Sequence, residues 1–287
     1  MGYIGFYLFY GINWIITLLP LRVLYLFSDL LFLLLCYFPS YRRKIVITNL
    51  RNSFPEKTKK ERSVIARKFY RHLADLVIET LKLTHMSNKQ LLKRLTLSNP
   101  ELLERLYKEG RDLVAVHSHY NTWEWLRILP LLTGHKFVSV YKPLQNSLFN
   151  RFINNIRARN KMSLAPMPEI VREIIKNRDN NIRSLYILIA DQTPAKSEIR
   201  YRTTFLNQDT PVFLGPEKIA SKYDMAVIFF NMQKVRRGYY HLTFELLFEN
   251  TAGLSEHLIT ETHVRRLEEL IREKPEHWIW SHRRWKY

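Results

Sequence analysis

One cysteine, Cys36, stands in 287 residues, so no intramolecular disulfide can form and a zinc site built on thiolates is excluded. Cys36 lies in an apolar run, where a lone cysteine ordinarily serves as a small hydrophobe. The chain also lacks internal repeats, low-complexity tracts and an obvious linker. Acids are scarce: 26 Asp and Glu stand against 45 Lys and Arg, a formal net charge of +19. A balance this basic says nothing about fold but implies an anionic partner: nucleic acid, a membrane surface or an acidic protein. For nucleic acid the sequence offers no glycine-rich single-strand platform, no zinc ligands and no recognisable recognition helix. A basic, membrane-tethered binding protein without chemistry is the rival that remains from that class.

Hydrophobic residues make up 46% of the chain, enough for one substantial core. They are concentrated at the start. Tyr3 to Leu19 is nearly all apolar and aromatic, Pro20-Leu21-Arg22 interrupts, and Leu24 to Phe38 continues apolar apart from Ser28 and Asp29. A helix crosses a bilayer core with about 20 apolar residues, so the two runs together predict a membrane helix. One tilted span plus an interfacial helix, and a shallow hairpin, both fit. A cleaved signal peptide fits poorly, because no Lys or Arg precedes the run and no small-residue cleavage site follows. Arg42, Arg43 and Lys44 come next, and the positive-inside rule then predicts a cytoplasmic domain. The composition shift divides the chain into a transmembrane or interfacial segment, 1–40, and a domain, 41–287.

Pro55-Glu56 opens an expected helix, with proline and an acid suited to a first turn. Ile65, Phe69, Leu73, Leu76, Val77 and Leu81 follow at helical spacing. Packing on the domain and lying on anionic lipid are equally open roles for it. Beyond it, short apolar runs alternate with helical patterns. Strands are expected at 113–116, 137–141, 185–190, 226–230 and 241–247, and helices at 123–132, 148–159, 170–176, 216–222 and 260–272. The alternation predicts an α/β fold, with a mixed, largely parallel sheet flanked by helices. In such sheets ligands sit beyond the carboxyl ends of the strands.

The segment Asp112 to Trp125 reads D-L-V-A-V-H-S-H-Y-N-T-W-E-W. His119 and Glu124 form H-x-x-x-x-E after a strand. A histidine there can take the proton of an attacking hydroxyl, and a nearby carboxylate can fix its tautomer. Five residues exceed one helical turn, so the pair works only if His119 precedes the helix and Glu124 sits near its start. Spacing alone is weak: the composition predicts roughly one such match by chance, and His263 with Glu268 also matches, read as a solvated helix face. His117-Ser118-His119 could bind metal, but no further ligand follows at the needed distance. Ser118 lacks the glycine-flanked turn of a hydrolase nucleophile. His117 is expected to be a hydrogen-bonded neighbour. Other candidates are Lys142 after the 137–141 strand, Arg157 and Arg159 as forks for phosphate, and Asp191-Gln192 at a strand end, where Asp191 would equally cap a helix or pair with an arginine. The tail from Trp278 to Tyr287 is rich in tryptophan, which suits a membrane interface.

Several short patterns, in order, resemble the lipid A late acyltransferase family, with its lauroyl and myristoyl transferases. They are Leu19-Pro20, Asn49-Leu50, Phe54-Pro55-Glu56, His119 with Trp123 and Glu124, Val140 to Pro143, Arg157 and Arg159, Asp191-Gln192, and Trp280 with His282 and Arg284. The chain departs from the pattern at Asn121-Thr122 where Gly-Asn is common, at Asn160 after the arginine pair, and at Phe213-Leu214-Gly215 for F-F-G. The resemblance implies a glycerol-3-phosphate acyltransferase-like fold and transfer without cofactor, metal or covalent intermediate. His119 would be general base and Glu124 its orienting acid, while Arg157 or Arg159 would stabilise the oxyanion or bind phosphate. Lys142, Asp191 and Gln192 would contact substrate. The implied donor is an acyl-acyl carrier protein thioester and the acceptor a phosphorylated glycolipid, a lipid A precursor. Another glycolipid, phospholipid or aminolipid is the alternative acceptor. Anionic membrane lipid, and no nucleic acid, would be the remaining partner, at the bacterial inner membrane with the catalytic domain in the cytoplasm.

Overall fold

The computed structural model describes residues 2–38 and 41–287. The expected boundary near residue 40 falls at positions 39–40, outside the described residues. Helices run in the order α1 (Tyr3–Ile16), α2 (Leu21–Tyr37), α3 (Arg43–Ser53), α4 (Lys59–Lys82), α5 (Asn88–Leu92), α6 (Pro100–Lys108), α7 (Ser147–Arg157), α8 (Ile170–Asp179), α9 (Gly215–Tyr223) and α10 (Leu258–Glu273). Strands are β1 (Leu95–Ser98), β2 (Leu113–His117), β3 (Lys136–Tyr141), β4 (Ser163–Pro166), β5 (Ser184–Ile189), β6 (Arg202–Phe205), β7 (Gln208–Pro211), β8 (Ala226–Arg236) and β9 (Tyr239–Phe248). Seven of them form one sheet in the order β1-β9-β8-β2-β5-β3-β4. Five strands, β8 to β4, run parallel, while β9 returns antiparallel to β8 and carries β1 beside it. The hairpin β6–β7 stands apart.

The unbroken apolar run of β2 explains its central place, since a strand covered on both faces needs no alternation. All five of its residues are buried. The two faces carry separate cores. Val114, Val138, Tyr186 and Val227 pack on one, and Leu113, Phe137, Leu185 and Ile228 on the other.

Three expected elements differ. The helix foreseen from Pro55 starts at Lys59, because Thr58 and Glu61 form a reciprocal capping box that satisfies its first donors. The segment Trp123–Leu131 is a 3-10 helix with Pro130 inside it. Pro130 has no N–H to continue an α-helical ladder. The foreseen membrane-spanning helix is also corrected: no helix among the described residues is long and apolar enough to cross a membrane. At 1.5 Å per residue, α1 and α2 reach about 21 and 26 Å, short of a core of about 30 Å. Pro20 separates them, and Lys82 at the end of α4 donates to the orphan carbonyls of Thr17 and Leu19 (2.6 and 2.9 Å).

The inner face of α2 buries Leu21, Leu24 and Phe32 with Ser28 among them, and polar side chains tie the helix to α4 and the β8–β9 hairpin. Ser28 donates to Asp75 (2.7 Å), which also accepts from Lys234 and Arg237. Glu79 is fully buried and accepts from Tyr25 (2.8 Å) and Tyr240 (2.7 Å). α4 thus packs on the domain, one of the two roles left open for it. Burial pushes the Glu79 carboxyl up from 4.5 to about 7. The folded state therefore binds the extra proton between those values, and stability falls as pH rises through that window. The shift corresponds to about 3 kcal/mol. Glu79→Gln, which cannot ionise, is expected to gain about that much on wild type between pH 4.5 and 7.5, read by denaturant unfolding. A constant difference across the window would contradict this assignment.

Candidate active site

The loop after β2 is held at several points before it presents His119. Asn121 takes a left-handed conformation, φ 58°, which Asn tolerates better than most residues, and its amide donates to the Met232 carbonyl (2.8 Å). The Tyr120 hydroxyl donates to the Leu270 carbonyl (3.1 Å). His117 is buried with Nδ1 3.1 Å from the Phe230 carbonyl. A carbonyl only accepts, so Nδ1 carries the proton, and burial holds this imidazole down at about 4 and neutral. His117 is the hydrogen-bonded neighbour expected of it. Ser118 is buried as well.

His119 precedes the 3-10 helix and Glu124 sits in its first turn, as the spacing required. Yet the carboxylate on the imidazole is Asp191. The register of β2 on β5 sets His117 opposite Ile189, so the two chain segments leave the sheet side by side. His119 Nδ1 lies 2.7 Å from Asp191 Oδ1. Asp191 Oδ2 accepts from the His119 backbone N–H (3.0 Å) and from Trp278 Nε1 (2.8 Å). Burial pushes the Asp191 carboxyl up, but the His119 charge and these hydrogen bonds outweigh it and hold it at about 2. Asp191 is therefore ionised at neutral pH, and Nδ1 is the protonated nitrogen. In the neutral ring Nε2 then carries the lone pair, and it lies 3.2 Å from the Gln192 amide. The Trp123 ring meets His119 edge-on, centroids 4.9 Å apart.

Glu124 has a different place. Its carboxylate receives Trp123 Nε1 (3.0 Å) and a two-point contact from Arg157, with Nε on Oε2 at 2.8 Å and the second bond to Oε1. Among the described residues Glu124 makes no hydrogen bond with His119. The carboxylate placed to fix the tautomer is thus Asp191, and among the described residues it makes no hydrogen bond or ion pair with an arginine side chain.

These groups open onto a cavity of about 710 Å³. His119, Glu124, Arg157, Lys142, Gln192, His282 and Lys286 supply its polar surface, and Leu126, Met162, Met167, Ile187, Ile189 and Phe213 its apolar surface. Burial holds His282 down at about 4 and therefore neutral. Arg159 does not line the cavity. It donates to the Leu83 and Thr84 carbonyls (3.1 and 2.8 Å), serving the end of α4. The Trp-rich tail is likewise no surface anchor, since Trp278 and Trp280 are buried in the core. The second His–Glu match is also not solvated: His263 and Glu268 are buried, with Glu268 held by Arg265 and Arg272.

A family model described as bacterial lipid A biosynthesis acyltransferase matches residues 1–287, the whole chain. Among curated proteins none matches the chain.

Proposed function

The chain belongs to the bacterial lipid A biosynthesis acyltransferase family, and from that premise we propose that it moves a fatty acyl chain from an acyl carrier protein thioester to a hydroxyl of a lipid A precursor, with His119 as general base. The observation that carries the proposal is the contact of 2.7 Å between His119 Nδ1 and the ionised Asp191. It leaves Nε2 as the acceptor facing the cavity, the protonation state a general base needs.

In the proposed reaction the acceptor hydroxyl binds at Nε2, displacing the Gln192 amide. Its oxygen attacks the thioester carbonyl carbon while its proton passes to Nε2, and the imidazolium formed is stabilised by Asp191. The Arg157 guanidinium, aimed by Glu124, stabilises the oxyanion of the tetrahedral intermediate. As the C–S bond breaks, the imidazolium returns the proton to the leaving thiolate. Lys142, Lys286 and Gln192 line the cavity, and a phosphorylated headgroup would rest on them. The net charge of +19 suits three anionic partners: a carrier protein, a phosphorylated acceptor and the cytoplasmic leaflet of the inner membrane.

The membrane location is part of the same proposal. Tyr3, Ile4, Tyr7, Leu8, Leu26, Leu30 and Phe38 are exposed on and beside α1 and α2, close in sequence to Arg42, Arg43 and Lys44. Apolar surface next to cations suits helices lying in the lipid interface, and it supports an interfacial rather than a spanning segment.

The test uses the membrane fraction, carrier protein loaded with labelled acyl chains and a tetra-acylated lipid A precursor. Label is expected in the precursor. Label entering only another membrane lipid would retain the chemistry and change the acceptor. No transfer from folded protein would overturn the proposal in favour of a binding protein.

A further inference from the structure

The cavity beside His119 continues downward between the sheet and the 3-10 helix, and the strand register gives its depth. On β3 the alternation sets Phe137, Ser139 and Tyr141 on one face. On β5 it sets Leu185, Ile187 and Ile189 on the same face, with Phe137 opposite Leu185 and Ser139 opposite Ile187. Ser139, Tyr141, Ile187 and Ile189 line the cavity. Phe137 and Leu185, the next pair down, are fully buried in the core and close it. Ser139 and Ile187 are therefore the deepest sheet pair that a ligand reaches, about 7 Å below the strand ends where His119 emerges. Met162, which lines the cavity, bounds the level below from the side: Ser163 pairs with Val138, so the preceding residue stands level with Phe137. Leu126 of the 3-10 helix also lines the cavity.

Ser139 is out of keeping with this face. Phe137, Tyr141, Leu185, Ile187 and Ile189 surround it and Leu164 of β4 stands directly opposite, and a serine among six such side chains leaves room at the cavity wall that a branched side chain would fill. We infer that this slot takes the methyl end of the donor's acyl chain, and that Ser139 and Met162 set the longest chain accepted. The inference rests on the acyl-transfer reading and extends it to the length of the acyl group. The reacting carbonyl sits at His119, so each added methylene pushes the chain end further toward Phe137, where a close-packed core yields little. One methylene in a fitted apolar pocket changes kcat/KM by about 10- to 200-fold.

The experiment compares full-length wild type, Ser139→Leu, Ser139→Ala and Met162→Ala on acyl carrier protein thioesters of graded length, by kcat/KM and by equilibrium binding. Ser139→Leu is expected to cut the longest accepted chain at least about tenfold relative to a chain two methylenes shorter. Met162→Ala is expected to admit a longer chain, a gain that misfolding cannot produce. Ser139→Ala, which removes the hydroxyl without filling the slot, is expected to keep the wild-type profile. An unmoved length profile in both Ser139→Leu and Met162→Ala would overturn the inference, as would Ser139→Ala shifting the profile as far as Ser139→Leu. Binding separates the two levels of the argument. Wild type that binds by length but transfers nothing contradicts the acyl-transfer reading alone. Wild type that transfers without length preference contradicts the depth assignment.

Discussion

Asp191→Asn is expected to lower kcat by about 10³- to 10⁴-fold while the protein stays folded. The reason is the tautomer. Asp191 Oδ2 accepts two hydrogen bonds, from the His119 backbone N–H and from Trp278 Nε1. An amide oxygen satisfies those two donors, and the amide N–H is then turned toward His119 Nδ1. The imidazole must accept at Nδ1 and carry its proton on Nε2, the nitrogen that has to take the proton of the attacking hydroxyl. The charge that stabilises the imidazolium is lost as well. Steady-state transfer kinetics with a thermal melt of the same preparation check both halves. A loss under tenfold would show that another group orients His119.

Arg157→Ala is expected to act on both stability and rate. Glu124 is 7% exposed and loses its two-point partner, and breaking a buried pair from one side costs about 3–5 kcal/mol. Removing a charged donor at the oxyanion costs about 10²–10³ in kcat. Adding Glu124→Gln removes the stranded charge, so the double variant is expected to regain most of the stability and none of the rate. Chemical unfolding and transfer assays separate the two. Recovery of kcat together with stability would mean that Arg157 only holds the fold. Glu124→Gln alone weakens the aim of Arg157 but leaves the His119–Asp191 contact intact, so its rate loss is expected to be the smaller.

What was legible in the sequence was local. The apolar run Leu113 to Val116 announced a strand, and His119 just beyond it stood out as a candidate base, because both readings depend on neighbours in the chain. The partner of His119 did not show, since Asp191 lies 72 residues on and reaches it only through the pairing of β2 with β5. The same limit hid Arg157 on Glu124 and the hydrogen bond from Trp278 to Asp191. Sequence spacing favoured Glu124 because it is near in the chain, whereas a carboxylate can orient an imidazole from any segment that the sheet brings alongside. Arg159 was misread for a related reason: a lone arginine looks the same whether it awaits a phosphate or serves the carbonyls at a helix end. The capping box at Thr58 and Glu61 was passed over for Pro55 and outranks it, because it satisfies real donors rather than merely tolerating a missing one. Ser139 stands out only when β3 is paired with β5 and β4 and its large neighbours are seen together.

The central claim is that His119 takes the proton in acyl transfer, and the most direct test is kcat/KM for transfer by wild type and His119→Ala under identical conditions. A loss of about 10²- to 10⁴-fold is expected in a variant that melts as wild type does. A folded His119→Ala that transfers at close to the wild-type rate would contradict it.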